Sequence, residues 1–293
     1  MPNLNREMNL MSILSIFRRA QVAHSKATWL SELFVPKRRK AISTVVMTAV
    51  VFVQLTGCAL AQKAPVDAAS RPVTDHKKVL YVTRLKHRDR EEDDKVRAHL
   101  EERGMIVTMV DQTSPASAAA GQDLVVISSV VSARDMVGTS FRDVPLPLLT
   151  WESDLFDSLR FTGQKKGEDF GTLEKEHYIN VVNAPSPLAG GVPAGKRWVY
   201  PRDGEMGWGK PAPGATVIAT VPGEPDEAVL FAYEKGATMD YDFIAPARRV
   251  AVFLGNRTFE KLSADGTTLF DAALDWAVSA PVSPTRHPEL PSK

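Results

Sequence analysis

Cysteine is nearly absent from this sequence: one residue, Cys58, occurs among 293. An intramolecular disulfide framework and a cysteine-rich zinc site are therefore excluded. The chain also lacks an HExxH motif and any histidine pair at metal-binding spacing, so no metal site is predicted. No sequence pattern indicates a cofactor, and none is expected.

The chain after residue 57 has no excess of basic residues. Residues 1–57 hold eight of the 36 Lys/Arg and two of the 35 Asp/Glu. The rest of the chain therefore carries 28 basic and 33 acidic residues and is mildly acidic. Nucleic acid is consequently not an expected partner.

A long apolar run is also missing, although a shorter one is present. The basic residues 37–40 (KRRK) precede the apolar segment 41–53, which is shorter than the roughly 20 residues that span a bilayer. This order is typical of an export signal, which we assign to residues 1–57. Residues 1–36 are unusually long for the basic part of a signal, and a start codon placed too early is one explanation.

The export segment ends in Leu55-Thr-Gly-Cys58, which resembles the lipobox of bacterial lipoproteins. The resemblance implies that Cys58 is lipidated and becomes the mature N-terminus. The membrane would then be a partner through this lipid, and the protein would face the periplasm or the cell surface. Residues 58–76 would form the lipidated terminus and a flexible tether.

Two alternatives for this segment remain open. Ala59-Leu-Ala61 fits the A-x-A pattern of ordinary signal cleavage, which would release a soluble secreted protein beginning near Gln62. The segment could also stay uncut as a signal anchor.

The chain from about residue 77 to 150 alternates apolar strands with helical segments. Strands are predicted at 78–83, 106–110, 123–128 and 148–150, a helix at 89–103 and a short helical stretch at 153–159. Continuous apolar strands between helices favour a parallel sheet covered on both faces. We predict an α/β fold, a flavodoxin-like three-layer sandwich with a mostly parallel central sheet and a strand-rich second half.

The second half reads mostly as strands, followed by one helix. Strands are predicted at 178–183, 197–200, 215–221, 228–233 and 249–254, and a helix capped by Ser263 is predicted to run to about Val278. Residues 281–293 contain four prolines and are predicted to be a loose tail. One domain is therefore expected over residues 77–280.

In the order of its segments, this domain resembles the class I glutamine-amidotransferase-like superfamily, on its trehalose-utilisation (ThuA-like) side. The likeness rests on residues 79–83 with Gly104, 123–128 with 144–152, 185–191, and 248–255 with 269–276. Catalytic members carry a nucleophilic cysteine at a sharp turn after a strand. In this chain Glu152 occupies that place, and Ser186 replaces the expected histidine, so the resemblance implies the pocket without the amidotransferase chemistry.

Glu152 and Asp154 are the candidate catalytic residues at this turn. Two carboxyl groups could act as general acid and base on a glycosidic bond. Alternatively, Glu152, Ser153 or Asp154 caps the short helix that follows, and this interpretation is favoured.

The candidate ligand-binding residues are Trp151, Asp203, Glu205 and Trp208. Trp151 could stack on a sugar ring, although a core position is favoured. Asp203, Glu205 and Trp208 belong to the stretch 203–209 (DGEMGWG), which suits a binding loop but fits a plain hairpin turn better. His177, the only histidine in this half of the domain, is expected to have a structural or exposed position.

Three functions are compatible with these features. The leading one is a membrane-anchored envelope lipoprotein whose inert amidotransferase-like domain binds a ligand or partner, with carbohydrate or another envelope polymer as candidates. The second is a carbohydrate-active hydrolase that uses Glu152 and Asp154. The third is an assembly module without a small ligand; the sequence does not set an oligomeric state.

Overall fold

The computed structural model describes residues 73–136 and 138–280. The predicted export segment, Cys58, the tether up to residue 72 and the Pro-rich tail lie outside these residues. Within the described ranges, none of the helices combines the length and apolar character needed to cross a bilayer.

The described chain forms one mixed sheet with helices between its strands. In chain order the elements are β1 (Lys78–Thr83), α1 (Arg90–Glu102), β2 (Ile106–Asp111), β3 (Leu124–Ile127), α2 (Ala133–Met136), β4 (Leu148–Thr150), β5 (Phe170–Glu176), β6 (Tyr178–Val181), β7 (Gly195–Trp198), β8 (Gly204–Gly209), β9 (Thr216–Val221), β10 (Glu224–Tyr233), β11 (Arg249–Ala251) and α3 (Ala264–Val278).

The sheet has a parallel half and an antiparallel half. Strands β2, β1, β3, β4 and β11 are adjacent in that order and parallel. This is the 2-1-3-4-5 order of flavodoxin-like folds. Strands β10, β9, β6 and β7 continue the sheet with antiparallel pairing, and β8 joins β5 to β10. The predicted α/β fold class is confirmed, including its strand-rich second half.

Two apolar layers cover the sheet. On one face α1 packs against β1 and β2, and α3 packs against β4 and β11, and the two helices bury side chains such as Leu100 and Phe270. The opposite face is covered by short helical turns and by a cluster of phenylalanines that includes Phe156, Phe161 and Phe231. The sandwich therefore has three layers, although short turns build much of the third.

Two local predictions were wrong, and one strand was missed. The helical stretch predicted at 153–159 is only a 3₁₀ turn, Ser153–Leu155, followed by turns, with Arg160 in the left-handed region. Residues 203–209 are not a loop or hairpin turn, since they include strand β8. Strand β5 was not predicted, because its sequence FGTLEKE is mostly polar and it pairs only with β8 in the described part of the chain.

Candidate functional site

A polar cleft of about 480 Å³ opens at the carboxyl ends of the parallel strands β3, β4 and β11. This is the edge at which open α/β sheets bind their ligands. The cleft is lined mainly by residues that follow these strands and by residues of β5 and β8: Ser129, Val131, Ser132, Ala133, Arg134, Trp151, Glu152, Ser153, Asp154, Thr172, Glu205, Gly207, Leu254 and Asn256.

Glu152 lies directly after β4, where two hydrogen bonds from Thr150 fix the turn. The Thr150 hydroxyl donates to the carbonyl of Ile127 at 3.0 Å and accepts the backbone N–H of Glu152 at 3.1 Å. The Glu152 carboxyl group accepts the backbone N–H of Asp154 at 2.9 Å. The favoured capping interpretation is therefore realised by one N–H donor, while the same carboxyl group also lines the cleft.

The surroundings of Glu152 favour its neutral form. Its pKa is raised from 4.5 to about 8, chiefly by burial. The charges of Asp154 and Glu205 contribute to this rise, whereas the Asp154 N–H and the charge of Lys166 oppose it. Near neutral pH this carboxylic acid is therefore mostly protonated and can donate a hydrogen bond or a proton into the cleft.

Glu205 is the second acidic residue of the cleft, and it is contributed by β8. Burial also raises its pKa, while the backbone N–H of Asn256 lowers it by donating to the carboxylate. A Cβ atom on Gly255 would lie 2.8 Å from the Cβ of Glu205, so glycine at this position lets the two segments approach. The pKa shift is larger for Glu152, so Glu205 is the more readily ionised of the two.

Asp154, the other candidate catalytic residue, is engaged in an ion pair. The Lys166 ammonium lies 2.6 Å from one of its carboxylate oxygens and 2.7 Å from the other. Both side chains are exposed to solvent. Glu205 is therefore a second candidate partner of Glu152 in the cleft, beside the ion-paired Asp154.

The other sequence candidates occupy different places. Trp151 lies in the core, edge-to-face with Tyr81 and Phe270, and only its rim reaches the cleft. Trp208 is 6% exposed and lies outside the cleft lining, in the core. Asp203 also lies outside the cleft lining.

His177 and Asp203 form a pair instead. The Nε2 atom of His177 lies 3.0 Å from the Asp203 carboxylate, and its Nδ1 atom lies 2.9 Å from the carbonyl oxygen of Tyr200. Of the predicted ligand-binding residues, the structure brings only Trp151 and Glu205 to the cleft that contains Glu152.

Several cleft residues were missed by sequence reasoning. The hydroxyl of Ser129 donates to the side-chain carbonyl of Asn256 at 3.2 Å, and the hydroxyls of Ser153 and Thr172 are 3.1 Å apart. Ser129 belongs to the polar pair 128–129, which follows the buried strand β3. Asn256 belongs to the polar triplet 256–258, which lies beyond the buried strand β11. This position after a parallel strand is the signal that could have identified them.

A buried hydrogen-bond network adjoins this edge of the sheet. The Asp93 carboxylate of α1 accepts hydroxyl hydrogen bonds from Tyr81 and Ser128, each at 2.9 Å, and from Thr83. Burial raises the pKa of Asp93 to about 6 despite these donors. The Ser128 hydroxyl in turn accepts the N–H of Val130 at 2.9 Å, so the network fixes the start of the loop that walls the cleft.

Among residues 73–136 and 138–280, no group of three His, Cys, Asp or Glu side chains is arranged to hold a metal ion. No protein-family model matches the chain, and no curated protein does either. Among solved structures, the chain is similar to a GMP synthase component from Thermoplasma acidophilum, with a TM-score of 0.42 and 14% identity. The match covers 68% of this chain and 94% of that one. A likeness of this size says nothing about what the chain does.

Proposed function

We propose that this protein is a bacterial envelope lipoprotein, anchored by lipid on Cys58, whose domain binds a neutral, hydroxyl-rich ligand of the carbohydrate class. The domain would be a non-catalytic relative of the ThuA-like amidotransferase group. The lipobox-like segment behind the export signal supports the anchoring, and the polar cleft at the sheet edge supports the binding.

The observation that carries the ligand proposal is the pairing of Glu152 with Glu205 in one open cleft. A protonated Glu152 offers a donor, while the more readily ionised Glu205 offers acceptors. Hydroxyl groups of Ser129, Ser153 and Thr172 add groups that can both donate and accept. Sugar hydroxyls also donate and accept, so this lining matches them better than it matches an anion or an apolar molecule.

The residues that line this cleft argue against amide hydrolysis through a thiol. The position at which the superfamily resemblance expects a cysteine is Glu152, and the cleft is lined by neither a histidine nor a cysteine in the described residues. Without a thiolate and a base to activate it, the covalent route to an acyl enzyme is unsupported.

A second candidate function is hydrolysis of a glycosidic bond, with Glu152 as general acid and Glu205 as base or nucleophile. Two carboxyl groups with different pKa values are the arrangement that this reaction requires. The pair differs from the Glu152 and Asp154 pair expected from sequence because Asp154 forms an exposed ion pair with Lys166.

One set of variants separates binding from hydrolysis. Calorimetry and product analysis would use the full-length chain with soluble oligosaccharides prepared from envelope glycans. Glu152→Gln keeps a hydrogen-bond donor of the same shape, so binding should persist, whereas Glu152→Ala should weaken it. Product formed by the wild type and lost in Glu152→Gln would establish hydrolysis instead.

Two experimental results would contradict the binding proposal. No saturable binding by the wild type, or equal binding by Glu152→Ala and Glu205→Ala, would contradict it. If light scattering showed a defined oligomer and no oligosaccharide bound, the assembly module would be the better account.

A further inference from the structure

An exposed aromatic pair lies on the β6–β7 hairpin, outside the cleft. Tyr178 and Trp198 are direct partners in this antiparallel pair, so their side chains share one face. They are 39% and 50% exposed. Their neighbours Ile179 and Val181 point to the opposite face and are buried in the core.

This pair, the Tyr178–Trp198 platform, lies at the outer edge of the sheet. In the described part of the chain, β7 pairs only with β6. The ammonium of Lys196 lies 4.2 Å from the centre of the Tyr178 ring. The platform therefore combines two aromatic rings, of which Tyr178 is partly covered by Lys196, with one cationic hydrogen-bond donor on an accessible surface.

The sheet topology places the platform at the same edge as the cleft. Strands β10, β9 and β6 alternate in direction after β11, so β6 begins, and β7 ends, at the edge where β11 ends. Three strand spacings separate β11 from β6, which is roughly 14 Å. In the chain, Trp198 is followed closely by β8, which contributes Glu205 to the cleft.

We propose that the Tyr178–Trp198 platform is a binding site for a neutral glycan chain. Sugar rings of such a chain present flat C–H faces, which pack on exposed aromatic rings, while Lys196 can donate to their hydroxyls. The site is separate from the cleft and does not require the cleft to bind anything, although an extended chain could reach both.

The size and charge of the surroundings favour a glycan over other occupants. A stable protein interface needs about 800 Å² per partner, whereas two half-exposed aromatic side chains supply far less, since each buries roughly 150–250 Å² when fully covered. Acidic groups lie nearby: Glu176 ends β5, and Asp203 pairs with His177, whose ring lies 6.2 Å from that of Tyr178. Lys196 on the platform, and Lys261, which donates to the carbonyl of Asp203, add basic groups to the same surface. Charges of both signs therefore surround the platform, which favours a neutral occupant over an anionic lipid surface.

Calorimetry of the full-length chain with chitohexaose, a soluble β-1,4-linked oligosaccharide, tests this site. The wild type should bind, and Trp198→Ala should weaken binding about tenfold. Trp198→Tyr should stay close to the wild type. Tyr241→Ala is the matched control, because Tyr241 is 58% exposed but lies elsewhere, under the guanidinium of Arg160.

The outcomes distinguish this site from the cleft. Loss of binding in Trp198→Ala but not in Glu152→Ala supports the platform and leaves the cleft without a ligand. Loss in Glu152→Ala but not in Trp198→Ala overturns the platform and leaves the cleft proposal standing. No binding by the wild type, or a Trp198→Ala effect seen only on vesicle binding or on oligomeric mass, also overturns it.

Discussion

Glu152 and Glu205 line one cleft, although the two residues come from different halves of the sheet. Glu152 follows a parallel strand, β4, and Glu205 lies on the antiparallel strand β8. Burial is the largest cause of the raised Glu152 pKa, and the charges of Asp154 and Glu205 add to it. The two halves of the domain are thus coupled electrostatically at the cleft.

The raised pKa of Glu152 predicts that stability decreases as pH rises. The folded pKa of Glu152 is about 8 against 4.5 unfolded, so the folded state binds more protons between these values. The free energy of unfolding should therefore fall from pH 5 to pH 9. Glu152→Gln carries no such penalty, so its stability relative to the wild type should grow by about 2–4 kcal/mol over that range, as measured by urea unfolding.

Glu168→Gln is the control for this effect, because Glu168 is an exposed residue beside Lys165. Its stability relative to the wild type should be nearly the same at both pH values. An unchanged difference between Glu152→Gln and the wild type would show that the Glu152 carboxyl group is well solvated.

The sequence predicted strands β1 to β4 and helix α3 well because each has a strong local pattern. Leu148–Thr150 is a fully buried strand, and Ser263 accepts the N–H of Gly266 as the predicted cap of α3. The buried strand β4 also allowed the sequence to place Glu152 at the turn that follows it. Its partner Glu205 could not be paired with it in advance, because β8 is rich in glycine and its place is set by pairing with β5 and β10 rather than by its own residues.

The buried Asp93 network predicts that replacing the Asp93 carboxylate by an amide strongly lowers the free energy of unfolding. The carboxylate accepts three hydroxyl hydrogen bonds, whereas the amide of Asn has one acceptor oxygen and brings two donors. Asp93→Asn should therefore destabilise the protein by about 2–3 kcal/mol in denaturant unfolding. Asp94→Asn, which removes partly exposed pairs with Arg90 and Arg97, should cost under about 0.5 kcal/mol. Equal effects would contradict the role given to the network.

Arg249 is a second buried charge with structural consequences. Its guanidinium donates to the carbonyls of Leu146 and Val144 at 2.8 Å each, and to those of Arg142 and Arg248 at 3.1 Å. A lysine ammonium lacks the planar fork that reaches all four. We expect Arg249→Lys to cost about 3 kcal/mol in urea unfolding.

Arg97→Lys provides the contrast for this variant. The Arg97 side chain is 40% exposed and pairs with Asp94 at 3.9 Å and with Glu101 at 3.8 Å, and a lysine can keep such surface pairs. Arg97→Lys should therefore cost less than Arg249→Lys. The reverse order would contradict the role assigned to the four carbonyl hydrogen bonds.

Ser263 connects α3 with the end of β7. Its hydroxyl accepts the N–H of Gly266 at 3.1 Å and donates to the carbonyl of Trp198 at 2.6 Å. Ser263→Ala should thus cost about 1–2 kcal/mol in thermal unfolding. Thr268→Ala is its control, since that hydroxyl bonds only within the helix, to Ala264, and its loss should change stability little. A smaller effect for Ser263→Ala than for Thr268→Ala would contradict the stabilising role of the Ser263 cap.

If the lipobox-like segment acts as a lipobox, Cys58 determines where the protein resides. Its thiol would form a thioether to a diacylglycerol group, and two or more acyl chains hold a protein on a membrane where a single chain does not. Cys58→Ser should abolish labelling with radioactive palmitate and release the protein from the membrane fraction. Glu152→Gln, which leaves Cys58 intact, should be labelled like the wild type. A Cys58→Ser protein that is still membrane-bound and unprocessed would establish the uncut anchor, whereas an unlabelled wild type that begins at Gln62 would establish ordinary signal cleavage.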